Sequence, residues 1–164
     1  MEDFMEGGKK VITVVCTGNV CRSPMAERLL QHALNAEDQP LKDIQVISAG
    51  VSAFPGDPAS NNAIKALKSV NLDLSDHRSR PLSDQVMEVS DLILTMTRGH
   101  ADIIHDQHPE STVPVFRFRD WVGAGPKEVP DPFCGPLELY KDTRDSLAEA
   151  VPSIINYLKS QLNT

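Results

Sequence analysis

Short β-branched runs alternate with amphipathic segments along most of this chain. The runs are KVITVV (10–15), IQVISAG (44–50), DLILTM (91–96) and TVPVFRF (112–118), the last weakened by Pro114. The first run lacks a clean apolar–polar alternation, which is typical of a strand buried on both faces of a parallel sheet. Because helical segments lie between the runs, the pattern indicates right-handed βαβ units and an open parallel sheet.

The apolar spacing between these runs predicts helices. Five apolar side chains after the first run share one helical face: Ala26, Leu29, Leu30, Ala33 and Leu34. Ser23 is the expected N-cap of this helix, and Pro24 suits its first position. Further helices are predicted over 61–70, over 99–108 and in the C-terminal stretch. There Pro152 should kink or restart the helix, because proline has no N–H to donate.

The length of 164 residues is enough for one well-filled core and too small for two. We therefore predict a single domain over 10–164, preceded by a flexible N-terminal extension over 1–9. The net charge of −7 argues against binding nucleic acid or anionic lipid, which needs clustered Lys and Arg. No window approaches the roughly 18 apolar residues of a membrane span, and the first residues are acidic where a signal peptide would be basic. We expect a cytoplasmic protein with no membrane partner.

The loop after the first strand, VCTGNVCRSP (15–24), is where chemistry is expected, because ligands of open parallel sheets bind beyond the carboxyl ends of the strands. A Walker-type nucleotide loop is excluded, since this loop has only Gly18 and no lysine. Cys16 and Cys21 are separated by four residues, whereas a thioredoxin-like pair is separated by two. Two more zinc ligands at matched spacing are also missing, so no metal is expected.

The loop does contain a cysteine followed, after five residues, by arginine and serine: Cys16, Arg22 and Ser23. Between a strand end and a helix start, such a loop can turn successive backbone N–H groups toward one centre. Arg22 offers a planar fork for two phosphoryl oxygens, and nearby positive charge favours the nucleophilic thiolate of Cys16. The leaving oxygen of a phosphate monoester must be protonated, and Asp131 in VPDPFCG is the best candidate for that acid.

These motifs, VCTGNVCRSPMAE and the downstream DPF, resemble those of the low-molecular-weight protein tyrosine phosphatases, in particular bacterial members near the protein arginine phosphatase branch. The similarity extends from Val11 to the final helix. It implies a single-domain α/β fold, with a four-stranded parallel sheet flanked by helices on both faces (flavodoxin-like, phosphotyrosine phosphatase I type). It also implies a phosphoric monoester hydrolase that uses no metal and no cofactor, and that acts on a phosphorylated protein.

The resemblance implies a role for each residue of the motifs. Cys16 would form a phosphocysteine, Arg22 would bind the transferring oxygens, and Asp131 would protonate the leaving group and then activate water. The implied phosphate-binding loop is Thr17, Gly18, Asn19, Val20, Cys21, Arg22 and Ser23.

The same resemblance implies that four residues support the loop. Asn19 would hold the loop in a strained conformation, linked through Ser48 and His77 to the body of the sheet. Ser23 would donate a hydrogen bond to the Cys16 thiolate and stabilise it as nucleophile and as leaving group.

The residues around the expected substrate leave two specificities open. Val20 is aliphatic, as in tyrosine-directed members, whereas arginine-directed members carry threonine there. The C-terminal segment resembles the arginine-directed members. Because the loop residue touches the substrate, phosphotyrosine is the predicted substrate and phosphoarginine is the alternative. The resemblance implies that Phe54 and Phe133 line the entrance, where they could sandwich a planar ring, with simple loop packing as an equal alternative for Phe54.

Other open alternatives concern cysteine chemistry and association. Cys21 is either a partner that forms a protective disulfide with Cys16, as the resemblance implies, or a small packing residue. An arsenate reductase would need two further cysteines downstream, and there are none between Arg22 and Phe133. A non-catalytic anion-binding module would leave Asp131 without a purpose. We expect a monomer or weak dimer.

Overall fold

The computed structural model describes residues 8–162, so the predicted extension over 1–9 falls almost wholly outside the described residues. The strands are β1 Val11–Cys16, β2 Gln45–Gly50, β3 Leu92–Thr95 and β4 Val115–Arg117. The helices are α1 Arg22–Asn35, α2 Asn61–Lys68, α3 Asp84–Val89, α4 Arg98–Gln107 and α5 Leu137–Leu162, with a 3₁₀ turn at Leu41–Asp43. All four predicted strands are present, with ends within three residues of those predicted.

The four strands form one sheet in the order β2-β1-β3-β4, and all neighbours are parallel. The chain passes from β1 to β2 on one side and then returns past β1 to β3, so the order reverses beside β1. In an open α/β sheet, such a reversal creates a crevice at the carboxyl ends of the strands. The loop after β1 leaves the sheet at this crevice. The predicted four-stranded parallel sheet is confirmed.

Apolar clusters cover both faces of the sheet. Helices α1, α2 and α5 pack on one face, where Ile12 and Val14 of β1 are buried. Helices α3 and α4 cover the other face, where Met87 and Ile104 pack with Val15. Because side chains alternate along a strand, β1 supplies both cores. This double burial explains why the first run lacks an apolar–polar alternation.

The start of α1 differs from the prediction. The helix begins at Arg22, and Cys21 is at the N-cap position without a side-chain cap hydrogen bond. The prediction of Ser23 as N-cap is therefore wrong. Ser23 lies in the first turn, where its hydroxyl contacts the Cys16 thiol and accepts from Asn19. The first turn of α1 thus forms hydrogen bonds with the loop in place of a cap.

Two further helices depart from the sequence predictions. Helix α3 was not predicted; it has six residues, too few to show a period, and Ser83 caps it. Helix α5 runs without interruption through Pro152, so the helix does not restart there, and the predicted alternative of a kink stays a prediction. Residues on both sides, including Leu147 and Ile154, are buried against α1 and α2, and this packing maintains the helix. Within residues 8–162, no helix has the length and apolar character needed to cross a membrane.

Candidate active site

A small pocket opens at the carboxyl end of β1. The described residues that line it are Cys16, Thr17, Gly18, Val20, Cys21, Arg22, Asp131 and Phe133. Its volume is about 190 Å³, roughly six waters at about 30 Å³ each, which suits a phosphoryl group with part of its carrier. The fold therefore brings the predicted nucleophile, arginine and acid together from segments distant in sequence.

The loop of residues 16–21, called the Cys16 loop below, turns its carbonyl groups outward. Four of these carbonyls accept hydrogen bonds from outside the loop: Cys16 from Val51 N at 3.0 Å, Thr17 from Ser52 N at 2.9 Å, Asn19 from His77 Nε2 at 2.7 Å and Val20 from Ser60 N at 2.9 Å. In a trans peptide the N–H points opposite to the C=O, so each following amide is turned toward the pocket side. Such a concave array of N–H groups attracts an anion.

Asn19 holds the turn of the Cys16 loop. It is fully buried with a left-handed φ of 58°, a conformation that most side chains avoid and that asparagine adopts more readily than other non-glycine residues. Its side-chain Nδ2 donates to Ser23 Oγ and Ser48 Oγ, both at 2.9 Å, and its Oδ1 accepts from Arg80 N at 2.9 Å. Burial lowers the pKa of His77, so the neutral ring donates from Nε2 to the Asn19 carbonyl. The structure thus connects the four predicted supporting residues.

Ser23 links this network to the thiol. The distance between Ser23 Oγ and Cys16 Sγ is 2.9 Å, and both residues are buried. Because Asn19 Nδ2 donates to Ser23 Oγ, the serine hydrogen is left to donate, and the sulfur at 2.9 Å is nearer than its other acceptor, the Ala49 carbonyl at 3.5 Å. Hydrogen bonds to an ionised acceptor are stronger than neutral ones, so this arrangement stabilises a thiolate at Cys16.

Arg22 presents one edge of its guanidinium to the pocket. Its Nη1 donates to the Val129 carbonyl at 2.9 Å, and its Nη2 lies 3.4 Å from Thr17 Oγ1 and 3.7 Å from Asp131 Oδ2. Its Nε is buried and has no partner among the described residues. Leaving such a donor unpaired costs about 1–3 kcal/mol, a cost that a bound anion removes. Nε and Nη2 share one edge, so together they form a fork for two oxygens.

His100 was not predicted from the sequence and belongs to this site. Its Nε2 lies 2.9 Å from Thr17 Oγ1, and its Nδ1 accepts from Thr97 N at 3.2 Å. Burial, with the nearby charge of Arg22, lowers the pKa of His100 to about 4. Thr97 and His100 form a capping box at the start of α4. That Thr-x-x-His spacing was the available sequence signal, but it indicates a helix start and not proximity to the pocket.

Three of the remaining predicted residues, Asp131, Val20 and Phe133, line the pocket, and Phe54 does not. The Asp131 side chain is 50% exposed, and its Oδ1 accepts from Phe133 N at 3.0 Å. Phe54 is 76% exposed and is not part of this lining, so its position at the entrance stays a prediction.

Comparison with known proteins identifies the family. A model of the family described as low molecular weight phosphotyrosine protein phosphatase matches residues 11–164. The chain belongs to this family. A protein-arginine-phosphatase from Bacillus subtilis (strain 168) is 41% identical over 148 residues, 90% of this chain and 96% of the relative. A probable low molecular weight protein-tyrosine-phosphatase, EpsP from Ralstonia nicotianae, is 32% identical over 151 residues, 92% of this chain and 97% of the relative.

Solved structures agree with this assignment. The crystal structure of a YwlE mutant from Bacillus subtilis superposes with a TM-score of 0.84 at 38% identity, covering 92% of this chain and 99% of that one. The family that the sequence resemblance implied is confirmed, and with it the class of hydrolase.

The other cysteines of this low molecular weight phosphatase differ in their surroundings. Cys21 is buried, with its sulfur 3.4 Å from the Tyr140 hydroxyl and 3.5 Å from Ser60 Oγ, and burial raises its pKa. Cys134 is exposed, and all three cysteines are free thiols. The disulfide between Cys16 and Cys21 stays a prediction. Within residues 8–162, no group of three or more His, Cys, Asp or Glu side chains is arranged to hold a metal ion.

Proposed function

We propose that this phosphatase hydrolyses phosphotyrosine in protein substrates through a phosphocysteine intermediate. One observation carries the proposal: Cys16, Asp131 and Arg22, whose Nε has no partner among the described residues, line the same small pocket. The pocket thus combines a nucleophile, a phosphoryl-binding fork and a proton donor in one place.

In the first step, the Cys16 thiolate attacks phosphorus from the base of the pocket. The P–S bond forms as the P–O bond to the tyrosine breaks, and Asp131 gives its proton to the departing oxygen. The Arg22 fork and the inward amides of the Cys16 loop bind the three remaining oxygens, where charge accumulates in the transition state. The half-exposure of Asp131 supports this role, because a leaving group departs toward solvent.

In the second step, water attacks the phosphocysteine. The Asp131 carboxylate takes a proton from that water, the P–S bond breaks, and the electron pair returns to Cys16 as a thiolate. The Ser23 hydroxyl, 2.9 Å from the sulfur, stabilises this leaving group. Inorganic phosphate is then released, and the enzyme returns to its starting state.

The pocket wall supports an aromatic substrate. Val20 and Phe133 present apolar surface on the path from Cys16 to the rim, and a phenyl ring favours such contacts. Phe54 would add a second aromatic surface at the entrance. We also propose a monomer or weak dimer in the cytoplasm with no nucleic-acid or membrane partner, in keeping with the net charge of −7.

A second candidate is protein arginine phosphatase activity with the same mechanism. The relative at 41% identity that bears this name favours it. Against it, Val20 offers no hydroxyl to a phosphoguanidinium. The pocket chemistry is common to both candidates, so substrate choice depends on contacts near Val20.

The mechanism is tested with an aryl phosphate in the presence of a chelator. We expect hydrolysis by the wild type, inhibition by vanadate, and no turnover by Cys16→Ala. The matched control is Cys134→Ala, which removes an exposed thiol outside the pocket lining and should retain activity. Turnover by Cys16→Ala would exclude the phosphocysteine.

The substrate is tested by kcat/KM on peptides of one sequence that carry either phosphotyrosine or phosphoarginine. We expect the phosphotyrosyl peptide to be preferred by the wild type. Val20→Thr should move the ratio toward phosphoarginine, because it places a hydroxyl in the pocket wall. A wild type that prefers the phosphoarginyl peptide would establish the second candidate.

A further inference from the structure

The Thr17 hydroxyl lies between His100 and the guanidinium of Arg22 and contacts both. Because Thr97 N–H donates to His100 Nδ1, the proton of the neutral ring is on Nε2, which then donates to Thr17 Oγ1 at 2.9 Å. The same oxygen accepts from Arg22 Nη2 at 3.4 Å. A chain of hydrogen bonds therefore runs from the start of α4, through Thr17, to the guanidinium.

This chain of hydrogen bonds contacts the Nη2 atom of Arg22, which is held less closely than Nη1. Nη1 is fixed by the Val129 carbonyl at 2.9 Å, and Nε has no partner within residues 8–162. On the Nη2 side, Asp131 Oδ2 is 3.7 Å away, whereas Thr17 Oγ1 is nearer at 3.4 Å and is itself held by the buried His100, so Thr17 is the contact that fixes the plane of the fork. A fork binds two oxygens well only when its plane is set before the ligand arrives.

We propose that His100 is a positioning residue that acts through Thr17 to set the orientation of the Arg22 fork toward the phosphoryl group. The inference rests on the proposed function and extends it to a residue outside the pocket lining. His100 does not touch the substrate. It holds a hydroxyl that in turn holds the arginine.

The surroundings of His100 suit this role. The ring is 5% exposed, and its capping bond with Thr97 fixes it to the first turn of α4. A protonated ring would place a second positive charge beside Arg22 and would lose the Nδ1 acceptor that Thr97 uses. Because its pKa is about 4, the ring stays neutral near neutral pH and keeps its direction of donation.

The inference is tested by a double-mutant cycle on His100→Ala, Thr17→Val and the double variant. Two quantities are measured: the Kd of inorganic phosphate by calorimetry, and kcat/KM on an aryl phosphate. We expect each single substitution to weaken phosphate binding about tenfold, as the loss of one hydrogen bond to a charged group does. The double variant should bind phosphate no more weakly than whichever single variant binds it less tightly, because both substitutions break the same chain of hydrogen bonds.

Controls separate positioning from loss of structure. Thr17→Ser keeps the hydroxyl and should retain phosphate binding within about threefold of the wild type. His105→Ala, an exposed position on the same helix, should leave binding and activity unchanged. Thermal denaturation of every variant identifies any that fail to fold. If His100→Ala is one of them, the comparison of Thr17→Val with Thr17→Ser decides the matter.

Two results would overturn the inference. One is an unchanged phosphate Kd in Thr17→Val or in a folded His100→Ala. The other is full additivity in the double variant, because additivity means that the two residues act independently. Failure of the proposed function looks different: the wild type would bind phosphate without hydrolysing the aryl phosphate, and the binding cycle would still report on His100.

Discussion

Asn19 shows how a single side chain organises the pocket. Both hydrogens of its amide nitrogen are used on hydroxyls, its amide oxygen accepts a backbone N–H, and its carbonyl accepts from His77. These bonds maintain a left-handed residue that would otherwise relax. They also orient Ser23 toward the Cys16 sulfur. One residue therefore sets both the shape of the loop and the polarity around its nucleophile.

His100 should make the stability of the fold depend on pH. In the unfolded chain its pKa is the ordinary value of 6.5, and in the fold it is about 4. Between these values the unfolded chain binds the extra proton, so the free energy of unfolding falls as pH decreases from about 6.5 to about 4 and is level below that. The change is about 3 kcal/mol, because one pKa unit corresponds to about 1.4 kcal/mol.

The measurement is urea denaturation of the wild type and of His100→Gln from pH 7.5 to 4. Subtracting the two curves removes the contributions that both proteins share, and the charged groups that face the ring, Arg22, Glu128 and Asp131, are the same in both. We expect the wild type to lose stability relative to His100→Gln as pH falls. Parallel curves across this window would contradict the depressed pKa and, with it, the neutral tautomer.

At the scale of elements, the end of β2 supports the Cys16 loop by direct contact. A Cβ added at Gly50 would overlap the Thr17 carbonyl oxygen and lie 3.0 Å from Asn19 N. Both atoms are backbone, so neither can rotate away. We predict that Gly50→Ala displaces the loop, lowers kcat/KM at least about tenfold, and costs about 1–3 kcal/mol of stability, as overpacking does.

The control for this prediction is Gly123→Ala. A Cβ there meets nothing within 4 Å, so activity and stability should stay close to those of the wild type. Both variants are assayed on an aryl phosphate and by thermal denaturation. Full activity in Gly50→Ala would show that the loop tolerates a shift and is not held by β2.

The sequence predicts elements well where burial is periodic. The helix after the first strand follows from apolar spacing, and the strand over 10–15 follows from a continuous β-branched run; both are present with small shifts. The prediction failed where tertiary contacts override local preference. Ser23 has the chemistry of an N-cap, but the thiol and Asn19 use its hydroxyl. Helix α3 is too short to have a detectable period.

Pro152 is the other element-scale departure and leads to a prediction. It interrupts the hydrogen bonding of α5, yet it is exposed, and the helix continues on both sides. Replacing it with alanine restores an N–H donor in the helix interior. We predict that Pro152→Ala raises the free energy of unfolding by about 1–3 kcal/mol without changing kcat/KM.

Asn156→Ala is a matched control for Pro152→Ala, because it is exposed on the same helix and changes helix propensity alone. It should stabilise by less than about 0.7 kcal/mol. The free energy of unfolding of both variants is measured by urea denaturation. An equal increase in the two would contradict the prediction, because it would mean that α5 already compensates for the hydrogen bond that Pro152 cannot donate.

At the scale of the whole molecule, the site is assembled from the carboxyl ends of three strands. The Cys16 loop follows β1, the turn before α4 follows β3 and supplies His100, and the segment after β4 supplies Val129 and Asp131. The loop and the crevice can be predicted from sequence. The contacts of Arg22 with the Val129 carbonyl and of Thr17 with His100 cannot, since they depend on how distant segments pack.

The charge of the whole molecule should act on substrate encounter. There are 16 Lys and Arg against 23 Asp and Glu, so a net −7 surrounds a pocket that must attract an anion. Charges on the flanks of a substrate peptide interact with that field over about 30 Å at 0.01 M salt and only a few ångströms near 1 M. Basic flanks should therefore speed association and acidic flanks should slow it.

We predict that a phosphotyrosyl peptide with lysine flanks has a kcat/KM about three- to tenfold higher than one with glutamate flanks at low ionic strength. The ratio should fall toward one as salt increases, because screening removes the long-range term but leaves the pocket contacts unchanged. A small aryl phosphate without flanks, measured in the same salt series, corrects for direct effects of salt on the chemistry. A flank preference that persists at high salt would instead indicate specific contacts at the rim of the pocket, and a preference for glutamate flanks would contradict the prediction outright.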